Sequence, residues 1–379
     1  MFEVDHIAIR KIRLPFKTAS QHAVSPSHFS TSVIFEVHLK SGEIGYGECV
    51  PRRNIAGETL DSIVTGLKSI QDDLLERRLA NIDVIPYIQK FDWHYPGLEH
   101  QFCVQTAFEL AMLDAFGKHQ KTNAINLIGG ARAGKITYSG LISSDGPQFV
   151  EAMAEKFYAL GMCQLKLKVG HDLKQDLEHV DIIRKVYGSH VDIRIDANGA
   201  WKLQEAISNL DQFATYGVTC CEQPMPKHAD YFTLREALKG RIKICHDESL
   251  VTLEDGSRII QERQGDVFNL RICKNGGIFN ALKLHDLARS AGTFSQLGSQ
   301  VGETSLLAAA GRIFALMTGD LLFHEGSLGL NLLDTDITQE PLQFGRDGIG
   351  NSDFLMNPGL GIIVDVPKLK SLTFDEWSS

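Results

Sequence analysis

The chain has 379 residues, of which 43% are apolar and 22% charged, and its formal net charge is −9 at pH 7. No apolar run approaches the ~20 residues of a membrane-spanning helix, and an acidic balance without Lys/Arg-rich runs argues against a nucleic-acid partner. The seven cysteines are scattered without a C-x-x-C pair, so the sequence indicates neither a disulfide framework nor a zinc ribbon. Free cysteines favour a reducing compartment, the cytoplasm.

The first 125 residues predict an α+β module. The N-terminal "MFEVDHIAIRKIRLPF" alternates like a strand and lacks the pattern of a signal peptide. Residues 28–50, "HFSTSVIFEVHLKSGEIGYGECV", predict a hairpin with Ser41-Gly42 at its turn. Helical periodicity follows at 58–76 and at 101–119.

From residue 136 onward, strand-like runs alternate with helical segments at spacings of 24 to 28 residues. The eight runs are "ITYSGLI" (136–142), "CQLKLKV" (163–169), "VDIRIDA" (191–197), "VTCCEQ" (218–223), "IKICHDE" (242–248), "DVFNLRI" (266–272), "TFSQLGS" (293–299) and "DLLFHEG" (320–326). Such alternation implies parallel strands with right-handed crossovers, and eight units predict an α/β fold of the (β/α)8-barrel type. A doubly wound open sheet is the alternative, but no G-x-G-x-x-G follows the first strand. The tail, with "NPGLGIIVDV" (357–366), predicts a strand that returns to the first module.

Side chains alternate between the two faces of a strand, which separates inward from outward positions in a barrel. A barrel strand has no solvent face, so the apolar residues of "QLKLKV" meet the outer helices while Lys166 and Lys168 point inward. Asp196, Glu222 and Asp247 then stand at the C-terminal ends of the next three strands. Barrel enzymes carry their active sites at this end.

The three carboxylates would repel one another in a partly dehydrated barrel mouth. A divalent cation removes that repulsion, and an all-oxygen donor set suits Mg²⁺. Two lysines crowded beside such a site predict a lowered pKa for one of them, which makes it a usable base near neutral pH. The alternative is that these charged residues are ion-pair partners that close the mouth without performing chemistry.

The sixth strand-like run leads into "NLRICKNGG" (269–277), which carries two cations. Parity places Arg271 inside the barrel and Lys274 in the turn before the Gly-Gly pair. A lysine in such a turn is as readily a solvated residue as a functional one. Arginine stays protonated near neutral pH, so Arg271 is a poor base, although it can pair with a carboxylate or support an oxyanion.

Several short motifs occur in the order of the predicted strands. They are "KLK" (166–168), "DAN" (196–198), "EQP" (222–224), "DES" (247–249) and the pair Gly276-Gly277, preceded by "GYGE" (45–48) and "GET" (57–59). This set resembles the enolase superfamily, in particular its muconate lactonizing enzyme subgroup of muconate cycloisomerases and dipeptide epimerases. The resemblance implies a capping domain at 1–125, a modified (β/α)7β barrel at 126–340 and a segment at 341–379 that returns to the capping domain.

The resemblance also implies a metal site. Asp196, Glu222 and Asp247 would bind Mg²⁺, with Mn²⁺ as a substitute, and the metal would take the substrate carboxylate. Lys168 would remove the α-proton to give a metal-stabilised enediolate, and Lys166 would tune its pKa.

Other expectations from the resemblance concern the surroundings of the site. Asn198 would orient the metal or the substrate. Capping loops at 17–29 and 50–58 would close over the mouth and select the substrate. The subgroup is typically homo-oligomeric.

Three residues are further candidates for contact with the substrate. Glu303, after the seventh strand, resembles a glutamate of the subgroup and could pair with Arg271. The alternative is a carboxylate at a helix N-terminus, where the helix dipole favours a negative charge. Glu325 has inward parity and lies where related dipeptide epimerases hold a substrate amino group, and a buried ion pair is the alternative. Arg52, beside Arg53 in "VPRRN", could reach a second substrate carboxylate, although a solvated loop position is the more common case.

Arg271 stands where the subgroup pattern has a second lysine, and this difference bears on the reaction. Racemisation or epimerisation with two bases needs an acid/base on each face, which would require Lys274 to turn inward. Cycloisomerisation, β-elimination or dehydration needs Lys168 alone. We therefore expect a Mg²⁺-dependent isomerase of small carboxylates, either a cycloisomerase or an epimerase/racemase. The alternatives are a one-base lyase or dehydratase and a catalytically silent barrel that binds a carboxylate.

Overall fold

The computed structural model describes residues 1–20 and 27–379, so part of the loop predicted at 17–29 lies outside the described residues. The strands are β1 (Phe2–Ser20), β2 (Ser27–Leu39), β3 (Ile44–Cys49), β4 (Arg78–Leu79), β5 (Ile136–Thr137), β6 (Gly140–Ile142), β7 (Gln164–Lys168), β8 (Asp192–Asp196), β9 (Val218–Glu222), β10 (Lys243–His246), β11 (Val267–Leu270), β12 (Phe294–Leu297), β13 (Ile349–Gly350) and β14 (Thr373–Ser378). The helices are α1 (Arg53–Ala56), α2 (Leu60–Ser69), α3 (Gln71–Glu76), α4 (Asn81–Gln89), α5 (Phe91–His94), α6 (Phe102–His119), α7 (Ala124–Leu127), α8 (Pro147–Ala159), α9 (Leu173–Tyr187), α10 (Leu203–Thr215), α11 (Tyr231–Leu238), α12 (Leu253–Gln261), α13 (Ile278–Ser290), α14 (Ser305–Thr318), α15 (Gly329–Leu332) and α16 (Val366–Leu372).

The N-terminal strands and the C-terminal strand β14 form an antiparallel sheet in the order β14-β1-β2-β3, and β4 pairs with β1 beside this path. The predicted hairpin is β2–β3, and its turn closes through a 2.9 Å hydrogen bond from the Gly42 N–H to the Leu39 carbonyl. Helix α6, almost wholly buried, packs on this sheet. Gly45 and Gly47 allow the close approach, because a Cβ on either would overlap the backbone of α6.

The second part is a barrel whose parallel strands follow the chain order from β6 to β12. The eighth strand-like run is not a regular strand and contributes one bridge, between Leu297 and His324. It still closes the ring, since the Leu322 N–H donates to the Ser295 carbonyl at 2.8 Å and the Ser139 N–H to the His324 carbonyl at 2.9 Å. The barrel prediction is therefore confirmed, and the eighth run closes the barrel without forming a regular strand.

Two further predictions about strands differ from the structure. The run at 136–142 is divided, because β5 pairs with β13 whereas β6 joins the barrel. The strand that returns to the first sheet is β14, which pairs with β1, and "NPGLGIIVDV" forms only isolated bridges. Pro358 lacks an N–H, and Gly359 and Gly361 have φ values of 69° and 81°, which interrupt a strand there. The domain limits at 125 and 340 stay predictions.

Two buried carboxylates dock the N-terminal module on the barrel. Glu48 of β3 accepts hydrogen bonds from the Thr304 hydroxyl at 2.6 Å and the Leu307 N–H at 3.1 Å, at the start of α14. Glu109 of α6 accepts from the Ile278 N–H and from the Phe279 N–H at 3.4 Å, at the start of α13. Barrel helices begin next to the strand ends that carry the site, so this docking sets the module over the barrel mouth.

Within the described part of the chain, no helix is long and apolar enough to cross a bilayer.

Candidate active site

The site is built on four neighbouring parallel strands. Lys168 at the end of β7 is the register partner of Asp196 on β8, and Asp196 is the partner of Glu222 on β9. Asp247 follows β10 directly, and all three carboxylates are buried. The strand-parity prediction thus places these four side chains together at the C-terminal end of the barrel.

Each carboxylate is paired with a side-chain cation. Lys168 Nζ lies 2.6 Å from Asp196 Oδ2, and Lys166 Nζ lies 3.2 Å from Glu222 Oε2. Asp247 is held on one oxygen by Arg271 and on the other by Lys274. With the side chains so arranged, the described residues contain no group of three or more His, Cys, Asp or Glu side chains shaped to hold a metal ion.

The donor set nevertheless fits Mg²⁺ in its chemistry. Three carboxylates on adjacent strand ends offer hard oxygen ligands only, which Mg²⁺ prefers over sulfur and nitrogen. Burial raises the pKa of Glu222 to about 8, with Lys166 opposing and the Asp196 carboxylate adding to the rise. A divalent cation bound beside Glu222 would favour the ionised form of this buried carboxylate.

The two lysines of β7 have different surroundings. Lys166 is buried and donates to Glu325 Oε2 at 2.6 Å. Burial acts to lower the pKa of Lys166, but Glu222, Glu325 and Asp196 outweigh it and raise that pKa. The lowered pKa expected for one lysine of the pair is thus not found at Lys166. Lys168 has a side chain that is 22% exposed, so it is the lysine that reaches the mouth.

Arg271 points inward as predicted but does not pair with Glu303. Its guanidinium contacts Asp247, lies 3.8 Å from Glu222 Oε1, and donates to Gln300 Oε1 at 3.5 Å. Burial would lower the pKa of Arg271, but the carboxylates of the site outweigh it and raise that pKa. Arg271 is therefore a permanent cation here and not a base.

Lys274 is not a solvated turn residue, which corrects one of the two readings of this position. Its side chain is fully buried, and its ammonium donates to Asp247 Oδ1 at 2.9 Å, to the Asp247 carbonyl at 2.8 Å and to the Asn269 carbonyl at 2.7 Å. Burial lowers the pKa of Lys274, and Asp247 opposes that change. All three ammonium hydrogens thus have a protein acceptor, which fixes the side chain.

The remaining predicted residues surround this centre. Asn198, with a φ of 45°, accepts from Lys168 at 2.8 Å and donates to Glu248 Oε1 at 3.1 Å. Glu325 is engaged on both oxygens, by Lys166 and by Arg194 Nη1 at 3.0 Å, so it forms the buried ion pair named as its alternative role.

Two candidates lie on the rim between the capping module and the barrel. Glu303 accepts from the Gln300 N–H at 2.9 Å and makes no ion pair among the described residues. Glu303 directly precedes Thr304, the N-cap of α14, while the Thr304 and Leu307 N–H groups at this helix start donate to Glu48. Arg52 is half-buried and donates to the Val301 carbonyl.

Sequence reasoning assigned no function to three amides that fix the carboxylates. Asn269 Nδ2 and Gln296 Nε2 each donate to Glu222 at 2.9 Å. Gln223 Oε1 accepts from the Asp247 N–H at 3.0 Å and from the Ser249 N–H at 3.2 Å. Asn269 and Gln296 could have been found from the sequence, because strand alternation places both side chains inside the barrel, on β11 and β12.

The sequence matches the profile of the family described as enolase C-terminal domain-like over residues 148–368. L-Ala-D/L-Glu epimerase from Bacillus subtilis is 29% identical over 367 residues, which cover 95% of each chain. A dipeptide epimerase from Cytophaga hutchinsonii, crystallised with Mg and D-Ala-L-Val, superposes with a TM-score of 0.87 at 27% identity over 99% of both chains. Muconate lactonizing enzyme from Pseudomonas fluorescens superposes with a TM-score of 0.88 at 25% identity, over 98% of this chain and 99% of that one.

These similarities agree with the barrel and the capping sheet observed here. The profile covers more than half of the chain, and the relatives comprise epimerases, racemases and cycloisomerases. The chain belongs to the enolase C-terminal domain-like family and is an isomerase-type enzyme of the enolase superfamily.

Proposed function

We propose that this enzyme is a Mg²⁺-dependent isomerase that removes the proton α to a substrate carboxylate with one base, Lys168. The observation that carries the proposal is the contrast between the cations of the site. Lys168 is partly exposed at the mouth, whereas Lys274 is buried with three acceptors and Arg271 is paired with Asp247. Of these three cations, Lys168 is therefore the one placed to reach a substrate at the mouth.

Asp196, Glu222 and Asp247 would hold the metal, and Mn²⁺ would substitute for Mg²⁺. When bound, the ion supplies Lewis-acid stabilisation of the negative charge that develops on the substrate carboxylate. The Mg in the related dipeptide epimerase structure supports this assignment. Lys166, kept protonated by Glu222 and Glu325, would add a fixed positive charge beside the same oxygens.

A single base favours cycloisomerisation over two-base epimerisation. In a two-base reaction a second acid/base must approach the opposite face of the α-carbon. By the family resemblance, Arg271 stands where that second group would be, and it is a permanent cation. Freeing Lys274 would break three buried hydrogen bonds. Arg271 would instead balance negative charge on the substrate as the proton leaves.

A specific observation also supports a second candidate, a barrel that binds a carboxylate without turnover. Both oxygens of Asp247 are held by cations, so a metal ion must compete with Arg271 and Lys274 for this ligand. If those pairs persist, the site binds an anion through its cations and performs no proton transfer.

The two candidates differ in α-proton exchange. The protein with Mg²⁺ in D₂O is incubated with N-acyl amino acids, dipeptides, acid sugars and lactones of dicarboxylic acids, and products are followed by NMR and optical rotation. Deuterium incorporated with retained configuration supports one-base chemistry, and incorporation with inversion identifies an epimerase. Loss of a β-substituent identifies a lyase. The enzyme proposal fails if bound Mg²⁺ is demonstrated and no compound gains deuterium.

The homo-oligomeric state and the cytoplasmic location of the protein stay predictions from the sequence.

A further inference from the structure

Arg194 is a buried cation of the barrel interior that the proposed reaction does not use. It lies on β8 two residues before Asp196, with 2% of its surface exposed, and its register partner on β7 is Lys166. Its guanidinium carbon lies 4.0 Å from the centre of the Phe323 ring, which belongs to an apolar cluster of the barrel. Because inward side chains follow one another at every second residue, Arg194 lies one layer below Asp196.

One nitrogen of Arg194 connects two parts of the site. Its Nη1 donates to Gln296 Oε1 at 2.8 Å and to Glu325 Oε1 at 3.0 Å. Gln296 Nε2 in turn donates to Glu222 Oε2 at 2.9 Å, and Glu325 Oε2 accepts from Lys166 at 2.6 Å. Lys166 Nζ lies 3.2 Å from Glu222 Oε2. The five side chains thus form a closed ring of contacts that ends on one oxygen of Glu222.

Arg194 differs from the other cations of the site in what it contacts. Each of the other four pairs with a carboxylate proposed as a metal ligand, and they are Lys166, Lys168, Arg271 and Lys274. Those four compete with a metal ion for its ligands. Among the described residues, Arg194 forms an ion pair with Glu325 alone, so it reaches the metal ligands only through other side chains.

The chemistry of arginine fixes the direction of the Gln296 amide. A guanidinium has donors and no acceptor, so Gln296 must present its Oε1 to Arg194. The amide Nε2 then points the other way, to Glu222, where it donates. Asn269 Nδ2 donates to the other oxygen of Glu222 at 2.9 Å. Arg194 therefore sets one of the two amides that orient this carboxylate.

Packing alone does not account for an arginine at this position. Its Nε and Nη2 are buried and have no hydrogen-bond partner among the described residues. Buried donors without acceptors are destabilising, and an apolar side chain against Phe323 would avoid that penalty. The contacts through Nη1 are therefore the ones that give the charge a role.

We infer that Arg194 is a positioning residue that sets Glu222 for metal binding through the Gln296 amide. The inference rests on the proposed function in one respect, namely that Glu222 is a ligand of Mg²⁺. Side chains that orient a metal ligand through hydrogen bonds typically account for about 10–100-fold in metal affinity.

The alternative is that Arg194 acts on the site by its charge alone. A positive charge near a cation site repels the cation, so its removal would make Mg²⁺ bind more tightly. Loss of positioning acts in the opposite direction, because the Gln296 amide is then free to turn and Glu222 loses a fixed donor. The sign of the change in Mg²⁺ affinity therefore separates the two roles.

Titration calorimetry of the full chain with MgCl₂ alone measures this affinity without any turnover. We expect Arg194→Met, which keeps an unbranched side chain over Phe323, to raise the Kd for Mg²⁺ about 10–100-fold. Arg194→Lys keeps the charge but not the planar fork, and it should raise the Kd by a smaller factor. Arg235→Gln removes an ion pair between α11 and Asp266 and should leave the Kd unchanged.

A double-mutant cycle tests whether the effect passes through Gln296. Gln296→Leu should itself weaken Mg²⁺ binding. Arg194→Met should then raise the Kd by a smaller factor in Gln296→Leu than in wild type, because the amide that Arg194 orients is gone. Thermal unfolding of each variant establishes that the titrated protein is folded. If Arg194→Met does not fold, the Kd of Arg194→Lys decides.

Three results would overturn the positioning role. Tighter or unchanged Mg²⁺ binding by Arg194→Met would leave an effect of charge or none. Arg194→Lys with the Kd of wild type would show that the charge suffices. Equal factors for Arg194→Met with and without the Gln296 amide would exclude the path through it.

The outcome is separable from that of the proposed function. Weaker Mg²⁺ binding in both Arg194 variants, found together with no deuterium exchange by wild type, refutes the reaction and leaves the positioning role. Deuterium exchange by wild type, with a Kd for Mg²⁺ that does not depend on Arg194, refutes the positioning role and leaves the reaction. A wild type that binds no Mg²⁺ refutes both.

Discussion

Lys168 and Asp196 are register partners on adjacent parallel strands, and Lys168 Nζ lies 2.6 Å from Asp196 Oδ2. Burial would raise the pKa of Asp196, but Lys168 and Lys166 hold it well below its ordinary range. The pair therefore places a proton-carrying group directly beside a carboxylate that stays ionised. Two adjoining strand ends thus deliver a base and a metal ligand to the same point of the mouth.

The first prediction concerns Lys168→Met. Removing the ammonium while keeping the chain length should lower the rate of α-deuterium exchange by about 10²–10⁴-fold, the usual contribution of a general acid/base. Lys174→Met, at an exposed position in α9, is the matched control and should exchange like wild type. Exchange is measured by NMR in D₂O with Mg²⁺ present.

Retained exchange in Lys168→Met would contradict the role of this lysine. If exchange were instead lost in Lys274→Met with the fold intact, Lys274 in the turn after β11 would have to be reassigned as a base. A two-base reaction would then have to be reconsidered.

Strand parity was sufficient to bring the centre of the site together. It needs only the alternation of side chains and the absence of a solvent face in a barrel, and both hold for Lys168, Asp196 and Glu222. Arg271, one residue beyond the end of β11, keeps the predicted inward direction. The rule applies as long as a strand is regular. At the eighth position, where the chain makes a single bridge, the inward placement of Glu325 agreed with parity, but its partners could not be read from it.

Long-range charge pairing could not be predicted from local patterns. Lys274 lies beyond the end of β11, where alternation no longer applies, and its burial depends on carbonyls of Asn269 and Asp247. Arg271 has Asp247, and not Glu303, as its ion-pair partner, and Glu303 accepts from the Gln300 N–H. Both results depend on distances across the barrel mouth that the spacing of residues does not contain.

The second prediction is that Mg²⁺ stabilises the native protein. A ligand that binds the folded state alone adds about 2.7 kcal/mol to the free energy of unfolding at a concentration of 100 Kd. We expect Mg²⁺ to raise the Tm of wild type and to leave Asp196→Asn nearly unchanged. Asp181→Asn, which alters a surface ion pair with Lys185, should respond like wild type. Differential scanning calorimetry measures the shift.

The absence of any Tm response of wild type to Mg²⁺ or Mn²⁺ would contradict the metal site. It would favour the barrel that binds a carboxylate through its cations.

The third prediction is that Lys274 stabilises the folded protein through its buried contacts with Asp247 and Asn269. Lys274→Met leaves Asp247 with one cation and two buried carbonyls without their donor. Breaking a buried pair from one side costs about 3–5 kcal/mol in the free energy of unfolding. Lys283→Met, at an exposed position where the lysine contacts Asn280, should cost little. Urea denaturation followed by circular dichroism gives both values.

If Lys274 turns inward to the substrate as a second base in solution, Lys274→Met would lose activity while its unfolding free energy matched that of wild type. That combination would reject the fixed position of Lys274.

The last prediction is a pH dependence of the docking between the two modules. Burial raises the pKa of Glu109 to about 8 from 4.5, against the N–H groups of Ile278 and Phe279. A carboxyl with a raised folded-state pKa contributes stability that is present below about pH 4.5 and is lost as the pH rises through about 8. Relative to Glu109→Gln, wild type should therefore lose up to about 5 kcal/mol of unfolding free energy between pH 4.5 and pH 9.

Urea denaturation at pH 5 and pH 9 tests this difference. Glu151→Gln, at an exposed position in α8, should differ from wild type by the same amount at both values. A difference between wild type and Glu109→Gln that stays constant with pH, or that grows in favour of wild type at pH 9, would contradict the prediction. It would mean that the helix N-terminus stabilises the ionised Glu109 carboxylate more than burial destabilises it.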